Sequence, residues 1–180
     1  MWSRGAVGLT YEDLQAFPDD GYRRELLHGQ LIVSPSPTGL HRRVVINLGY
    51  RLKEAWPAHL EVLPAPYDWR IGSDTALEPD LMVIRRSDFA PDGPLVATPL
   101  LVVEVLSPST HDTDLGSKRL AYADAGCPAY WIVDPAVPAV TALSLGPDGY
   151  AEVVSARGAQ VLEATEPFAV AFCAAELAEG

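Results

Sequence analysis

One glutamate constrains this chain more than any other residue. Leu100-Leu101-Val102-Val103-Glu104-Val105-Leu106 is a nearly continuous apolar run, the mark of a strand buried on both faces. Glu104 interrupts it. An ionised carboxylate in such a strand is costly unless a cation, a metal or hydrogen bonds compensate. Two readings stand side by side: Glu104 lies at the sheet's end, exposed or paired with an arginine, or it is held inside for chemistry.

Asp80 repeats the anomaly. It follows Pro79 and opens the apolar run Leu81-Met82-Val83-Ile84. Strand alternation puts Asp80, Met82 and Ile84 on one face, and Val102, Glu104 and Leu106 on another. If the strands are neighbours, Asp80 and Glu104 lie side by side. Two carboxylates that close repel unless a cation sits between them, and oxygen ligands with few histidines favour Mg²⁺ or Mn²⁺. A turn aspartate after proline is the plainer reading of Asp80.

Lys118 is one of two lysines, and it follows Glu104 on an expected helix from about Asp112 to Asp124. Asp114, Lys118 and Tyr122 are spaced i, i+4, i+8 and form one row. The row is either an exposed ion pair worth a few tenths of a kcal/mol or a cation aimed at the carboxylates. Glu25 is a surface strand residue or a third carboxylate of the cluster. His41 heads a helix and reads as a cap or packed residue before a ligand. The doublets Arg23-Arg24, Arg42-Arg43, Arg85-Arg86 and Lys118-Arg119 read as solvated surface.

The rest of the chain frames these residues. Thr10 caps a short helix that ends at Pro18–Gly21. Arg23–Gly29 and Gln30–Ser34 read as strands. Val44, Leu48, Leu52 and Trp56 make one helical stripe. Glu61–Ile71, Glu78–Ile84 and Ala129–Val133 read as strands, with a loop from Arg86 to Pro99. Val140–Leu145 and Tyr150–Ser155 read as a hairpin, and Phe168–Phe172 as an edge strand. Clustered strands with few helices give an α+β class, a mixed sheet flanked by helices. A length of 180 residues suits a single domain over 1–180.

Composition excludes several classes. There are 13 basic residues against 24 acidic ones, a net charge of −11, so this is no generic DNA-coating protein. A nucleic-acid enzyme remains allowed if its basic residues converge locally. No apolar stretch approaches the roughly 20 residues of a membrane span, and Met1-Trp2-Ser3-Arg4-Gly5 lacks a signal peptide's apolar core. Cys127 and Cys173 have no ligand spacing, which points to a reducing cytoplasm. No Gly-rich phosphate loop and no Gly-x-Ser-x-Gly turn occurs, which argues against Rossmann and α/β-hydrolase folds.

Several motifs together resemble a known family. Glu25-Leu26-x-x-Gly29, Val33-Ser34-Pro35-Ser36-Pro37 and His41 are similar to the opening of the Uma-two family, assigned to the restriction endonucleases of the PD-(D/E)XK nuclease superfamily. Pro79-Asp80 resembles that superfamily's PD. Glu104-Val105-Leu106-Ser107-Pro108-Ser109-Thr110 resembles the family's Glu-Val-Leu-Ser-Pro-Ser segment. Lys118, Tyr122, Ala125-Gly126 and Tyr130-Trp131-Ile132-Val133-Asp134 resemble its next helix and strand. The match runs from about Thr10 to Leu145.

The resemblance implies a restriction-endonuclease-like fold and a Mg²⁺- or Mn²⁺-dependent endonuclease acting on nucleic acid, with DNA expected first, as a homodimer. Asp80, Glu104 and the Val105 carbonyl would hold the metal. Lys118 would orient the attacking water or stabilise the transition state, Glu25 would complete the site, and Tyr122 would bond to Lys118 or to a phosphate. The superfamily's lysine normally stands two residues after the second acid, where this chain has Leu106. On this reading Lys118→Ala leaves fold and metal binding intact and lowers activity by about 10²–10³. The alternative is a catalytically inactive nuclease fold that binds nucleic acid or a protein. A third reading is a structural protein whose acids are only salt-bridged.

Overall fold

The structure, a computed structural model, describes residues 8–179. The start Met1–Gly5, read above for a signal peptide, lies outside them. Tyr11–Gln15 forms α1 behind a reciprocal cap in which the Thr10 side chain accepts from the Asp13 amide and the Asp13 carboxylate accepts from the Thr10 amide. Strands β1 (Arg23–Leu27) and β2 (Gln30–Ser34) make an antiparallel hairpin. Its turn needs a left-handed backbone at His28 (φ 50) and Gly29 (φ 75). Helix α2 (Gly39–Ala55) starts at Thr38, whose hydroxyl accepts from the His41 amide, and its buried stripe is His41, Val44, Leu48 and Leu52.

Two sheets face each other. The larger has the order β10-β9-β8-β7-β6-β3, from β3 (Leu60–Pro64), β6 (Leu81–Arg85), β7 (Leu101–Val105), β8 (Ala129–Asp134), β9 (Ala139–Gly146) and β10 (Gly149–Arg157). Every pair is antiparallel except β7–β8. That parallel pair requires a crossover, and the helical segment His111–Asp124 supplies it. The smaller sheet has the order β2-β1-β5-β4, with β4 at Trp69–Arg70 and β5 at Ala76–Leu77.

Alternation sorts the core into layers. Leu81, Val83, Leu101, Val103, Trp131 and Val133 point to one face of the large sheet, against α2 and a two-stranded ribbon, β11 (Val161–Ala164) with β12 (Val170–Cys173). Met82, Ile84, Val102 and Tyr130 point to the other face, where they meet Leu27, Trp69 and Leu77 of the small sheet and Tyr122 of the crossover. Tyr11 and Leu14 of α1 cover the small sheet's outer residues Leu26 and Ala76.

The expected α+β class holds, and two local expectations change. Glu61–Ile71 is two strands in different sheets: Pro64 is the last residue of β3 paired with β6, and Pro66, with no amide hydrogen, does not extend the ladder toward β4. The helix Asp112–Asp124 is α3 (His111–Thr113), a π-helical turn (Asp114–Lys118) and α4 (Arg119–Asp124). Phe168–Phe172 holds the expected edge strand: β12 pairs only with β11, and Phe168, Val170 and Phe172 are buried in the chain's own core. Among the described residues no helix is long and apolar enough to cross a membrane.

Candidate active site

The space between the two sheets ends in a cluster of buried charges. Arg23, Glu25 and Leu27 share the inward face of β1 by alternation, so the hairpin delivers a cation and an acid together. In the large sheet Met82 pairs with Val102 and Leu81 with Val103. Continued by one residue, that register sets Asp80 opposite Glu104. The crossover closes the cluster with Asp114, Lys118 and Tyr122. π-turns insert one residue into a helix and recur at functional sites. Here the turn begins and ends on two buried charged residues, Asp114 and Lys118.

Each central carboxylate has one oxygen anchored and the other turned to the same cation. Asp80 Oδ2 accepts from the Val105 amide at 2.8 Å and lies 3.1 Å from His41 Nε2. Asp80 Oδ1 accepts from Arg23 Nη1 at 2.8 Å. Glu104 Oε1 accepts from Tyr122 Oη at 2.5 Å and from Lys118 Nζ at 3.1 Å. Glu104 Oε2 faces Arg23 Nη2 at 3.7 Å.

Lys118 and Arg23 hold the remaining acids. Lys118 Nζ lies 2.9 Å from Glu25 Oε1 and 3.5 Å from Asp114 Oδ1. Glu25 Oε1 also accepts from the Glu78 amide. Arg23 Nε stands 3.4 Å from Glu25 Oε2 and 3.6 Å from Glu78 Oε1. Glu25 Oε2 and Asp114 Oδ1 are buried and accept no hydrogen bond, so each has charge nearby but acceptor capacity to spare.

Burial and countercharge pull these groups apart. Burial lifts Glu104 to about 8, aided by the Asp114 and Asp80 charges and opposed by Lys118. Burial also pushes Asp80 up, but the His41 hydrogen bond, Arg23 and the Val105 amide outweigh it and hold the carboxyl at about 2. Glu78 is raised to about 7, by burial first and then by Glu25. Burial works against ionised Glu25, yet Lys118 and Arg23 keep its carboxyl below the usual range. Desolvation works against the charged Lys118, but the Glu104 and Glu25 charges raise it overall. Carboxyls pushed apart in this way mark functional-site candidates.

The five side chains singled out in the sequence, Glu25, Asp80, Glu104, Lys118 and Tyr122, thus meet in one place. Val105 joins them through its amide. The exposed reading of the Asp114–Lys118 row is wrong: both residues are 1% exposed, because the row faces the sheets. Arg23 is the residue that the sequence reading missed. It was grouped with Arg24 as solvated surface, yet the two point to opposite sides of β1, and only Arg24 faces out, onto Asp20. Its i, i+2 relation to Glu25 was the available signal. Glu78 was missed as well, and no pattern marked it.

A family model described as "Putative restriction endonuclease" matches residues 10–176. The chain belongs to the Uma-two family. The fold is also that of a crystal structure from Anabaena variabilis ATCC 29413, titled a putative nuclease belonging to DUF820. That structure has a TM-score of 0.76 and 18% identity, covering 94% of this chain and 97% of the other. No curated protein sequence matches the chain significantly.

Restriction-endonuclease-like families generally use divalent metals, and the donor set suits one. Asp80 Oδ1 and Glu104 Oε2 are hard oxygens turned toward one cationic centre. Among the described residues no three acidic, histidine or cysteine side chains form a ready-made ion cage. The Arg23 guanidinium fills the place between the two oxygens.

Proposed function

We propose that the chain is a Mg²⁺- or Mn²⁺-dependent endonuclease that hydrolyses phosphodiester bonds of nucleic acid, DNA first. The observation that carries this reading is the pairing of Asp80 and Glu104 across β6 and β7. Each is anchored through one oxygen and offers the other to a common cation. Asp80 Oδ1, Glu104 Oε2 and the Val105 carbonyl would hold the metal. A divalent ion held there would supply a water of lowered pKa and polarisation of the phosphate.

The chain's own residues do the positioning. Tyr122 and Lys118 fix Glu104 through Oε1, so its rotamer is set before any ligand arrives. The Val105 amide and His41 do the same for Asp80. Lys118 is the second positive group beside the reacting phosphate and takes the place of the strand lysine that Leu106 cannot supply. Glu25 holds Lys118 at the carboxylates. Two sites related by a two-fold axis would cut both strands of a duplex, so the active form is a homodimer, working in the cytoplasm.

The alternative is a nuclease fold that binds nucleic acid or a protein without cutting. Arg23 and Lys118 already neutralise much of the cluster, and the −11 charge repels a duplex. Incubation of supercoiled plasmid with protein and Mg²⁺ or Mn²⁺, against chelator, separates the two. Metal-dependent nicking that Asp80→Asn lowers at least about 10²-fold supports the enzyme. Wild-type protein that cleaves neither DNA nor RNA in either metal overturns it. Light scattering at twice the 19.4 kDa chain mass supports the dimer, and a single-chain mass at micromolar concentration sinks it.

A further inference from the structure

We propose that Arg23 is an exchangeable counter-cation: its guanidinium sits in the metal's place between Asp80 and Glu104 and is displaced outward when a divalent ion enters. There it meets the substrate phosphate. The inference rests on the metal-dependent reading above and names how that site is loaded.

Three observations carry it. The first is the shared seat. Arg23 Nη1 holds Asp80 Oδ1 at 2.8 Å and Arg23 Nη2 faces Glu104 Oε2 at 3.7 Å, the two oxygens that no other group engages. An oxygen-bound Mg²⁺ needs those atoms at roughly 2.0–2.1 Å. A guanidinium cannot share them, and its charge repels the ion at that range.

The second is freedom to leave. The Arg23 side chain is 16% exposed, whereas Glu25, Glu104 and Lys118 are 1% exposed. It belongs to the first residue of β1, next to the loop that ends α1, so the cluster opens to solvent at Arg23. Its Nε makes no hydrogen bond, and its grip on Glu25 and Glu78 is by charge at 3.4 and 3.6 Å. Lys118 is enclosed among three carboxylates and has no comparable way out.

The third is charge. Glu25, Glu78, Asp80, Glu104 and Asp114 surround two permanent cations, Arg23 and Lys118. One guanidinium replaced by one divalent ion brings the cluster nearer to neutrality. The released planar fork, still tethered at the mouth, matches a phosphodiester's paired oxygens.

Metal binding and substrate binding should then respond to Arg23 in opposite directions. A competitor resident in the seat reduces apparent metal affinity in proportion to the fraction of time the seat stands free. Arg23→Gln is therefore expected to tighten the Mn²⁺ dissociation constant, measured by calorimetry, by about tenfold or more. The same variant should weaken binding of a labelled duplex in Ca²⁺ by about tenfold, as loss of a bidentate phosphate contact does. A merely structural role would weaken both.

Wild type provides a readout that needs no variant. Titration with Mg²⁺ should shift the Arg23 Nε–Hε NMR signal and speed its exchange with water. Arg23→Lys, which keeps the charge but cannot span both oxygens, guards against loss of fold and should bind Mn²⁺ with intermediate affinity. Mg²⁺ that binds while the Arg23 signal stays fixed, or unchanged Mn²⁺ affinity in folded Arg23→Gln, overturns the exchange. If neither wild type nor Arg23→Gln binds Mn²⁺ at millimolar concentration, the metal-dependent reading itself fails and takes the exchange with it.

Discussion

Lys118 Nζ lies 3.1 Å from Glu104 Oε1, with both side chains 1% exposed. The lysine has two further carboxylates within 3.5 Å, Glu25 and Asp114. Removing one member of a buried ion cluster leaves uncompensated charge and costs about 3–5 kcal/mol. Lys118→Ala is therefore expected to lower the urea midpoint strongly, not to leave the fold untouched as a surface lysine would. Lys53→Ala, on the outer side of α2, is the control. Equal urea midpoints for Lys118→Ala and wild type would show that the cluster does not need this cation.

Stability should fall as pH rises across neutrality in the absence of metal. Glu104 is held at about 8 against an ordinary 4.5, so between those values the folded chain binds more protons than the unfolded one. Its contribution is fully present below about 4.5 and is lost as pH rises through 8. Glu78, at about 7, adds to the same limb. Asp80 acts oppositely: at about 2 against 3.8, it stabilises above 3.8 and loses that as pH falls. Thermal melts in chelator should peak near pH 4–5, and Glu104→Gln should flatten the alkaline limb. An identical slope in wild type and Glu104→Gln would remove Glu104 as its source.

Much of this site was legible from single residues out of place. Glu104 inside an apolar strand and Asp80 at the head of another were visible because alternation and burial are local properties. The pairing of β6 with β7 was conditional in the sequence and needed the three-dimensional register. The inward turn of Asp114 and Lys118 was not legible, because i, i+4 spacing fixes a common face but not which way it points. Arg23 was lost for a different reason. A doublet such as Arg23-Arg24 looks solvated, whereas a strand sends its two members to opposite sides. The two-residue strands β4 and β5 are too short to carry any periodicity.

Tyr122 should act through Glu104. Its hydroxyl donates to Glu104 Oε1, and its ring stacks on Trp69 at 5.8 Å with an interplanar angle of 14°. Tyr122→Phe keeps the ring and deletes the donor, leaving Lys118 alone on Oε1. Measured above pH 8, where Glu104 is ionised, the lost hydrogen bond to a charged group is worth about 1.5–3 kcal/mol. A loss of that size in urea unfolding, with an unchanged near-ultraviolet signal from Trp69, is the expected result. A loss above about 4 kcal/mol would mean that the ring, not the hydroxyl, was disturbed.

His41 sets the acid limit of the site. Its Nε2 is 3.1 Å from Asp80 Oδ2, while Arg23 holds Oδ1. Burial by itself would raise Asp80, and the His41 hydrogen bond leads the groups that reverse it. His41→Ala removes that partner and keeps Arg23 and the Val105 amide, so the Asp80 carboxyl moves back up from about 2. A smaller gap from the unfolded value means less stability above pH 3.8, and acid unfolding begins at a higher pH. Divalent-ion affinity near pH 5 should fall with it, because more of the carboxyl is protonated there. His41→Gln, whose amide can donate to the same oxygen, should recover part of both effects. Acid-unfolding midpoints that coincide for wild type, His41→Ala and His41→Gln would show that Arg23 and the Val105 amide suffice to keep Asp80 ionised.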